Sequence, residues 1–78
     1  AINIGGGLHH AHFNGASGFC VYPDISLTSH YLQSRLKMEK IMVIDLDAHQ
    51  GNGHELDHRE NRNVFTIDCY NHRIFPGD

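Results

Sequence analysis

The run IMVIDLDAHQGNG, residues 41–53, constrains this chain more than any other stretch. It stays apolar until two aspartates arrive, then continues into a histidine and two glycines. A continuous apolar run of this length suits a strand buried on both faces, as in a parallel sheet. Asp45, Asp47 and His49 occupy alternate positions where the run stops. Side chains of a strand alternate with period two, so a strand over 41–47 is predicted to carry all three to one side. Open parallel sheets gather their ligand sites at that carboxyl end. Two carboxylates side by side repel unless a cation or a donor neutralises them. Their oxygens, joined by an imidazole nitrogen, suit Zn²⁺ or Fe²⁺. Gly51 and Gly53 would let the backbone turn sharply away. The plain alternative is a strand end with solvated acids.

The flanking segments place this strand in an α/β pattern. Residues 2–4 read as a short strand entering the GGG turn, and residues 8–18 as a polar loop. FCVY, 19–22, is too short to assign alone. Pro23 and Asp24 give a turn and a helix N-cap. Ile25, Thr28, Ser29, Leu32 and Leu36 fall near one face of a helix over 25–36. HELDHREN, 54–61, allows one or two helical turns, and NVFTIDCY, 63–70, reads as a second apolar strand before a terminal loop. Strand, loop, helix, strand, short helix, strand is the α/β order.

At 78 residues the chain is one small domain at most. Domains this small bury only about 60% of the surface that their unfolded chains expose. The chain lacks an initial Met and ends on FPGD, as if inside a loop, so it is expected to be part of a larger domain. A net charge of -3 with scattered Lys and Arg disfavours direct nucleic-acid binding. No run is apolar enough to span a bilayer, and no signal-peptide pattern opens the chain. Cys20 and Cys69 have no CxxC or framework spacing, which points to a reducing, intracellular setting.

Histidine is the outlier, at eight residues. His12, His30 and His72 are expected on the surface. The tandem His9 and His10 follow three glycines, another strand end. They read either as surface decoration or, with Asp45, Asp47 and His49, as acid–base groups beside a metal. HELDH, 54–58, matches the H-E-x-x-H zincin pattern. A zincin needs that motif on a substantial helix with an apolar back, and only Leu56 is apolar here. A polar surface turn is the expectation, with a zincin-type peptidase using His54, Glu55 and His58 as the alternative.

Taken in order and at this spacing, GGGLHH, GFC, DLDAHQGNG and FPGD resemble the zinc-dependent histone deacetylases, most closely the class IV branch. The resemblance covers essentially all 78 residues. It implies a central slice of a large three-layer α/β domain with a parallel sheet, the arginase/deacetylase fold. Asp47 and His49 match the Asp-x-His zinc ligands. His9 and His10 match the tandem active-site histidines, with Asp45 and Asn52 as their respective partners. Many relatives carry HHGDG where this chain has HQGNG, so Gln50 and Asn52 are departures. An amide orients a ring but stabilises its cationic form less than a carboxylate does. Gly18, Phe19 and Phe75 match the wall of the acyl-lysine tunnel. A structural K⁺ is also implied, served by carbonyls of Asp45, Asp47 and His49 with the Asp45 carboxylate, Asp68 and Cys69 nearby.

The implied chemistry is hydrolysis of an acyl-lysine amide of a histone or another protein, in the nucleus or cytoplasm if the source is eukaryotic. Zinc would polarise the acyl carbonyl and activate water. His10 would carry the proton to the leaving amine, and His9, held by Asp45, would stabilise developing negative charge. The family's third zinc ligand, an aspartate, and its oxyanion-donating tyrosine come later in the family pattern than Asp78. A non-catalytic metal-binding or scaffolding piece is the remaining alternative.

Overall fold

A computed structural model describes residues 1–77; Asp78, the last residue of FPGD, lies outside them. The elements run α1 (Asp24–Ser34), β1 (Ile41–Asp45), α2 (Asn52–His58) and β2 (Val64–Asp68). β1 and β2 pair in parallel, from Ile41 opposite Val64 to Asp45 opposite Asp68. Parallel neighbours cannot be joined by a tight hairpin, and α2 lies in the crossover. The α/β class is the one expected.

The register gives the two-stranded sheet unlike faces. Ile41, Val43 and Asp45 share one face with Val64, Thr66 and Asp68, and all of them are at least half-buried. Met42, Ile44, Phe65 and Ile67 form the other face and are exposed. The interior itself is polar. Buried hydrophobic residues are Ala11, Cys20 and Val64, whereas His9, His10, Ser26, Ser29, Asp45, His54 and His58 are all buried.

Several expected boundaries move. Residues 2–4 form no strand, because no partner reaches them among the described residues; Ile2 and Ile4 stand exposed. β1 stops at Asp45, two residues early, because the Asp45 and Asp47 side chains take over the backbone's hydrogen bonding. The Asp47 amide donates to Asp45 Oδ1 at 3.1 Å, and the His49 amide to Asp47 Oδ1 at 2.8 Å. Strand alternation therefore does not align Asp45, Asp47 and His49; a bend does. β2 also stops early, at Asp68.

α1 ends at Ser34, and Leu36 is exposed. Its N-cap position is Pro23, and Asp24 is already helical. α2 begins at Asn52, ahead of the expected turn. HELDH is not a surface turn: His54 is completely enclosed and His58 is 6% exposed, so imidazoles and Gly53 replace an apolar back. His30 and His72 are exposed as expected, while His12 is half-buried.

Candidate active site

The loop carrying the tandem histidines is pinned from two sides. The Asp24 carboxylate accepts the amides of Gly7 at 2.6 Å and Leu8 at 2.7 Å, and that of Ile25 at 3.0 Å. From α2, the Gly53 amide donates to the His9 carbonyl at 3.0 Å. A Cβ on Gly53 would stand 2.1 Å from the Ala11 carbonyl oxygen, so only glycine lets the helix lie directly on this loop. Gly51 has an ordinary φ of -79°. Its role is also close approach, since a Cβ there would meet His54 Nε2 and Asp45 Oδ2.

Each histidine of the tandem has its own support. His9 Nδ1 donates to Asp45 Oδ2 at 2.7 Å, and His10 Nδ1 to Asn52 Oδ1 at 2.8 Å. Carboxylate and amide oxygens only accept, which fixes both Nδ1 protons and leaves each Nε2 free for chemistry. The two rings lie 4.1 Å apart between centroids. His9 Nε2 is 3.8 Å from Asp47 Oδ1.

Asp45 is the hub beneath them. Its Oδ2 also accepts His54 Nε2 at 2.9 Å. Burial pushes its carboxyl up, but the hydrogen bonds from His9, His54 and the Asp47 amide outweigh it and hold Asp45 below the usual carboxylate range. Asp47, on the bend, is held low by the amide and ring of His49.

Asp47 Oδ1 and His49 Nδ1 lie 3.1 Å apart on half-exposed side chains. A tetrahedral zinc with bonds of about 2.0–2.1 Å separates its ligand atoms by about 3.3 Å. This oxygen–nitrogen pair therefore fits two positions of such a site.

A cavity of about 610 Å³ joins these groups, lined by His9, His10, Asp47, His49, Phe19 and Phe75 among others. Phe75 meets the His10 ring edge-on at 5.0 Å. Gly18 lies against His10, where a Cβ would stand 2.4 Å from Cδ2, and its φ is +52°. Phe19 has a φ of +65° and is fully exposed. For a bulky residue that conformation stores roughly 1–3 kcal/mol of strain. The structure thus brings His9, His10, Gly18, Phe19, Asp45, Asp47, His49, Asn52 and Phe75 into one region.

Asp68 and Cys69 lie on the far side of Asp45. The Cys69 amide donates to the Asp45 carbonyl at 3.0 Å, and Cys69 is an exposed residue with a free thiol. Asp68 Oδ2 accepts the Gly51 amide at 2.7 Å, while its buried Oδ1 has no partner among the described residues. Asp45, His54 and Asp68 each present a ligand atom within 4.8 Å of the others. Burial and the neighbouring Asp68 push the Glu55 carboxyl up to about 7, against a hydrogen bond from Gln50.

Sequence reasoning missed Asp24 as a loop anchor and His54 as a partner of Asp45. For His54 there was a usable signal: two glycines flanking Asn52 mark a helix start that approaches other groups closely. The zincin alternative finds no support in this geometry. His54 Nε2 is taken by Asp45, His58 Nε2 pairs with Ser29 Oγ, and both rings are buried.

Comparison with known proteins identifies the family. The family model for the histone deacetylase domain matches residues 1–78. The chain is 51% identical over its whole length to Histone deacetylase 2 of Arabidopsis thaliana, and covers 20% of that protein. It is 38% identical to the acetoin utilization protein AcuC of Bacillus subtilis (strain 168), over 99% of this chain and 20% of that one. AcuC of Staphylococcus aureus (strain COL) is 39% identical, over 96% and 20%. The chain therefore spans about a fifth of the length of these relatives. With all 78 residues matched by the domain's family model and half of them shared with Histone deacetylase 2 of Arabidopsis thaliana, this chain belongs to the histone deacetylase family.

Proposed function

We propose that this chain is the acid–base and metal-binding slice of a zinc-dependent deacylase, class IV-like, that hydrolyses acyl-lysine amides. One observation carries the reading: two histidines with different supports face one cavity beside an Asp–His pair spaced for a metal. Asp47 and His49 would hold zinc as two of the three protein ligands that catalytic sites use. When bound, zinc supplies Lewis acidity to the acyl carbonyl and acidifies water. His10, with its Nδ1 proton fixed by Asn52, accepts the water proton at Nε2 and returns it to the leaving amine. His9, backed by the Asp45 carboxylate, offsets negative charge as it develops. Phe19, Phe75 and Gly18 flank the apolar stem of the acylated lysine.

The unpartnered Oδ1 of Asp68 supports a structural K⁺ here, served by carbonyls of Asp45, Asp47 and His49 together with Asp68 and Cys69. The uncovered apolar sheet face supports further layers beyond this span, as in a three-layer domain. Both cysteines are free thiols, which suits an intracellular protein, in the nucleus or cytoplasm if the source is eukaryotic.

The test is hydrolysis of an acetyl-lysine peptide by the full-length protein, before and after chelation. Activity should vanish with zinc and return on adding it back, and His49→Ala should lower the zinc bound per chain. Hydrolysis that ignores both treatments would defeat the metal assignment. Absence of hydrolysis by a fully zinc-loaded protein would favour a non-catalytic role.

A further inference from the structure

The first turn of α2 supports both tandem histidines, but by different routes. Asn52 reaches His10 directly. Two residues on, His54 reaches Asp45, and Asp45 in turn holds His9. We infer that His54 is a positioning residue for His9, acting through the Asp45 carboxylate.

Three features carry this. First, the two imidazoles converge on a single oxygen: Asp45 Oδ2 accepts His9 Nδ1 at 2.7 Å and His54 Nε2 at 2.9 Å. The other oxygen, Oδ1, accepts the Asp47 amide at 3.1 Å. A carboxylate held at both oxygens cannot rotate about its terminal torsion without breaking a bond, so the His9 ring inherits a fixed direction. Second, His54 has no freedom of its own. It is wholly enclosed, and Gly51 packs so closely that a Cβ would overlap both its Nε2 and Asp45 Oδ2. Third, the pairing dictates the tautomer. A carboxylate only accepts, so the His54 proton sits on Nε2. Nδ1 is left as a buried acceptor without a partner among the described residues. A proton at Nδ1 instead would bury an unpaired donor and deprive Asp45 of one. A purely apolar residue could fill the same volume; the observed choice is a donor aimed at the group that orients His9.

The inference rests on the deacylase reading for its kinetic consequence but not for its geometry. The experiment therefore has two arms, both on the full-length, zinc-loaded protein. In the first, kcat and KM for an acetyl-lysine peptide are measured for His54→Leu and His54→Gln. Losing the supporting hydrogen bond should lower kcat by about 10–100-fold with KM and zinc content little changed. His54→Gln places an amide N–H toward the same oxygen and should recover most of that loss. In the second arm, imidazole ¹⁵N–¹H spectra give the tautomers directly. Wild-type His54 should carry its proton on Nε2, and the His9 Nδ1–H resonance should move in His54→Leu and return in His54→Gln.

Equal kcat in His54→Leu and wild type, or a wild-type His54 proton on Nδ1, would overturn the assignment. So would a His9 signal indifferent to both substitutions. If His54→Leu does not fold, the wild-type tautomer and His54→Gln still decide. If the wild-type protein hydrolyses no acyl-lysine, the activity proposal fails while the spectra still judge the His54–Asp45–His9 chain.

Discussion

Around Asp45 the molecule buries imidazoles, a carboxylate and hydroxyls; on the outer face of the sheet it leaves Met42, Ile44, Phe65 and Ile67 in the open. This inverts the usual partition, in which apolar groups go inside and ionisable ones are almost never fully enclosed unless paired. The polar region meets that condition: His9, His10, His54 and His58 each have a hydrogen-bond partner. The outer face has no such compensation within these residues. On the function proposed above, the polar region serves chemistry and the outer face packs against further layers.

Substitutions can break this contrast by separating turnover from stability. The largest effect is expected for His10→Ala in the full-length protein. Removing a general acid–base group should cost roughly 10²–10⁴-fold in kcat. Zinc content and melting temperature should stay near wild type. Zinc lost along with the ring would make His10 a ligand rather than a base.

Phe65→Ala probes the opposite region. If further layers cover this face, the substitution should destabilise the full-length protein by about 3–5 kcal/mol in urea unfolding, as for buried aromatic truncations. The kcat per folded molecule should not change. A loss within about 0.5 kcal/mol would mean that the face stays in water.

A smaller effect sharpens the boundary between the regions. Glu55 has its carboxyl raised from 4.5 to about 7 by burial and by Asp68. Between those values the folded state binds more protons than the unfolded state, so stability falls as pH rises. The contribution is fully present below pH 4.5 and lost above about pH 7. His58, lowered mainly by burial and also by His54, works in the other direction: its contribution is lost as pH falls. Comparing wild type with Glu55→Gln at fixed potassium isolates the Glu55 part. The difference in unfolding midpoint should shrink in acid and grow toward neutrality, and a pH-independent difference would exclude this origin.

The α/β order was legible because the continuous apolar runs at 41–45 and 64–68 carry a local signal. The grouping of Asp45, Asp47 and His49 was also legible, although the reason lay elsewhere. The expected strand alternation gives way to side-chain-to-amide bonds that bend the chain after Asp45. What escaped depends on distant pairing. Asp24 looks like a helix cap in sequence, yet its bonds reach back to Gly7 and Leu8. HELDH looks like a polar turn because hydropathy treats imidazole as solvent-seeking; the glycines flanking Asn52 signal a close approach, but not that Asp45 and Ser29 are the partners. Residues 2–4 failed for a related reason: a strand needs a neighbour, and apolar spacing does not supply one.

The Asp24 anchor has a consequence for how such a site can change over time. By tying Gly7 and Leu8 to the start of α1, it makes residues 9–23 a closed loop whose ends are fixed by the carboxylate. Lengthening a pinned loop is cheap, with each doubling costing only about 0.6 kcal/mol in closure entropy. The beginning of that loop, His9 to Ala11, is clamped again by Gly53. Its later part, with Gly18 and Phe19, borders the cavity and is not clamped in this way. Apart from Gly18, where a Cβ would strike His10, this rim of the cavity can therefore be remodelled by substitution or insertion while His9 and His10 stay where they are.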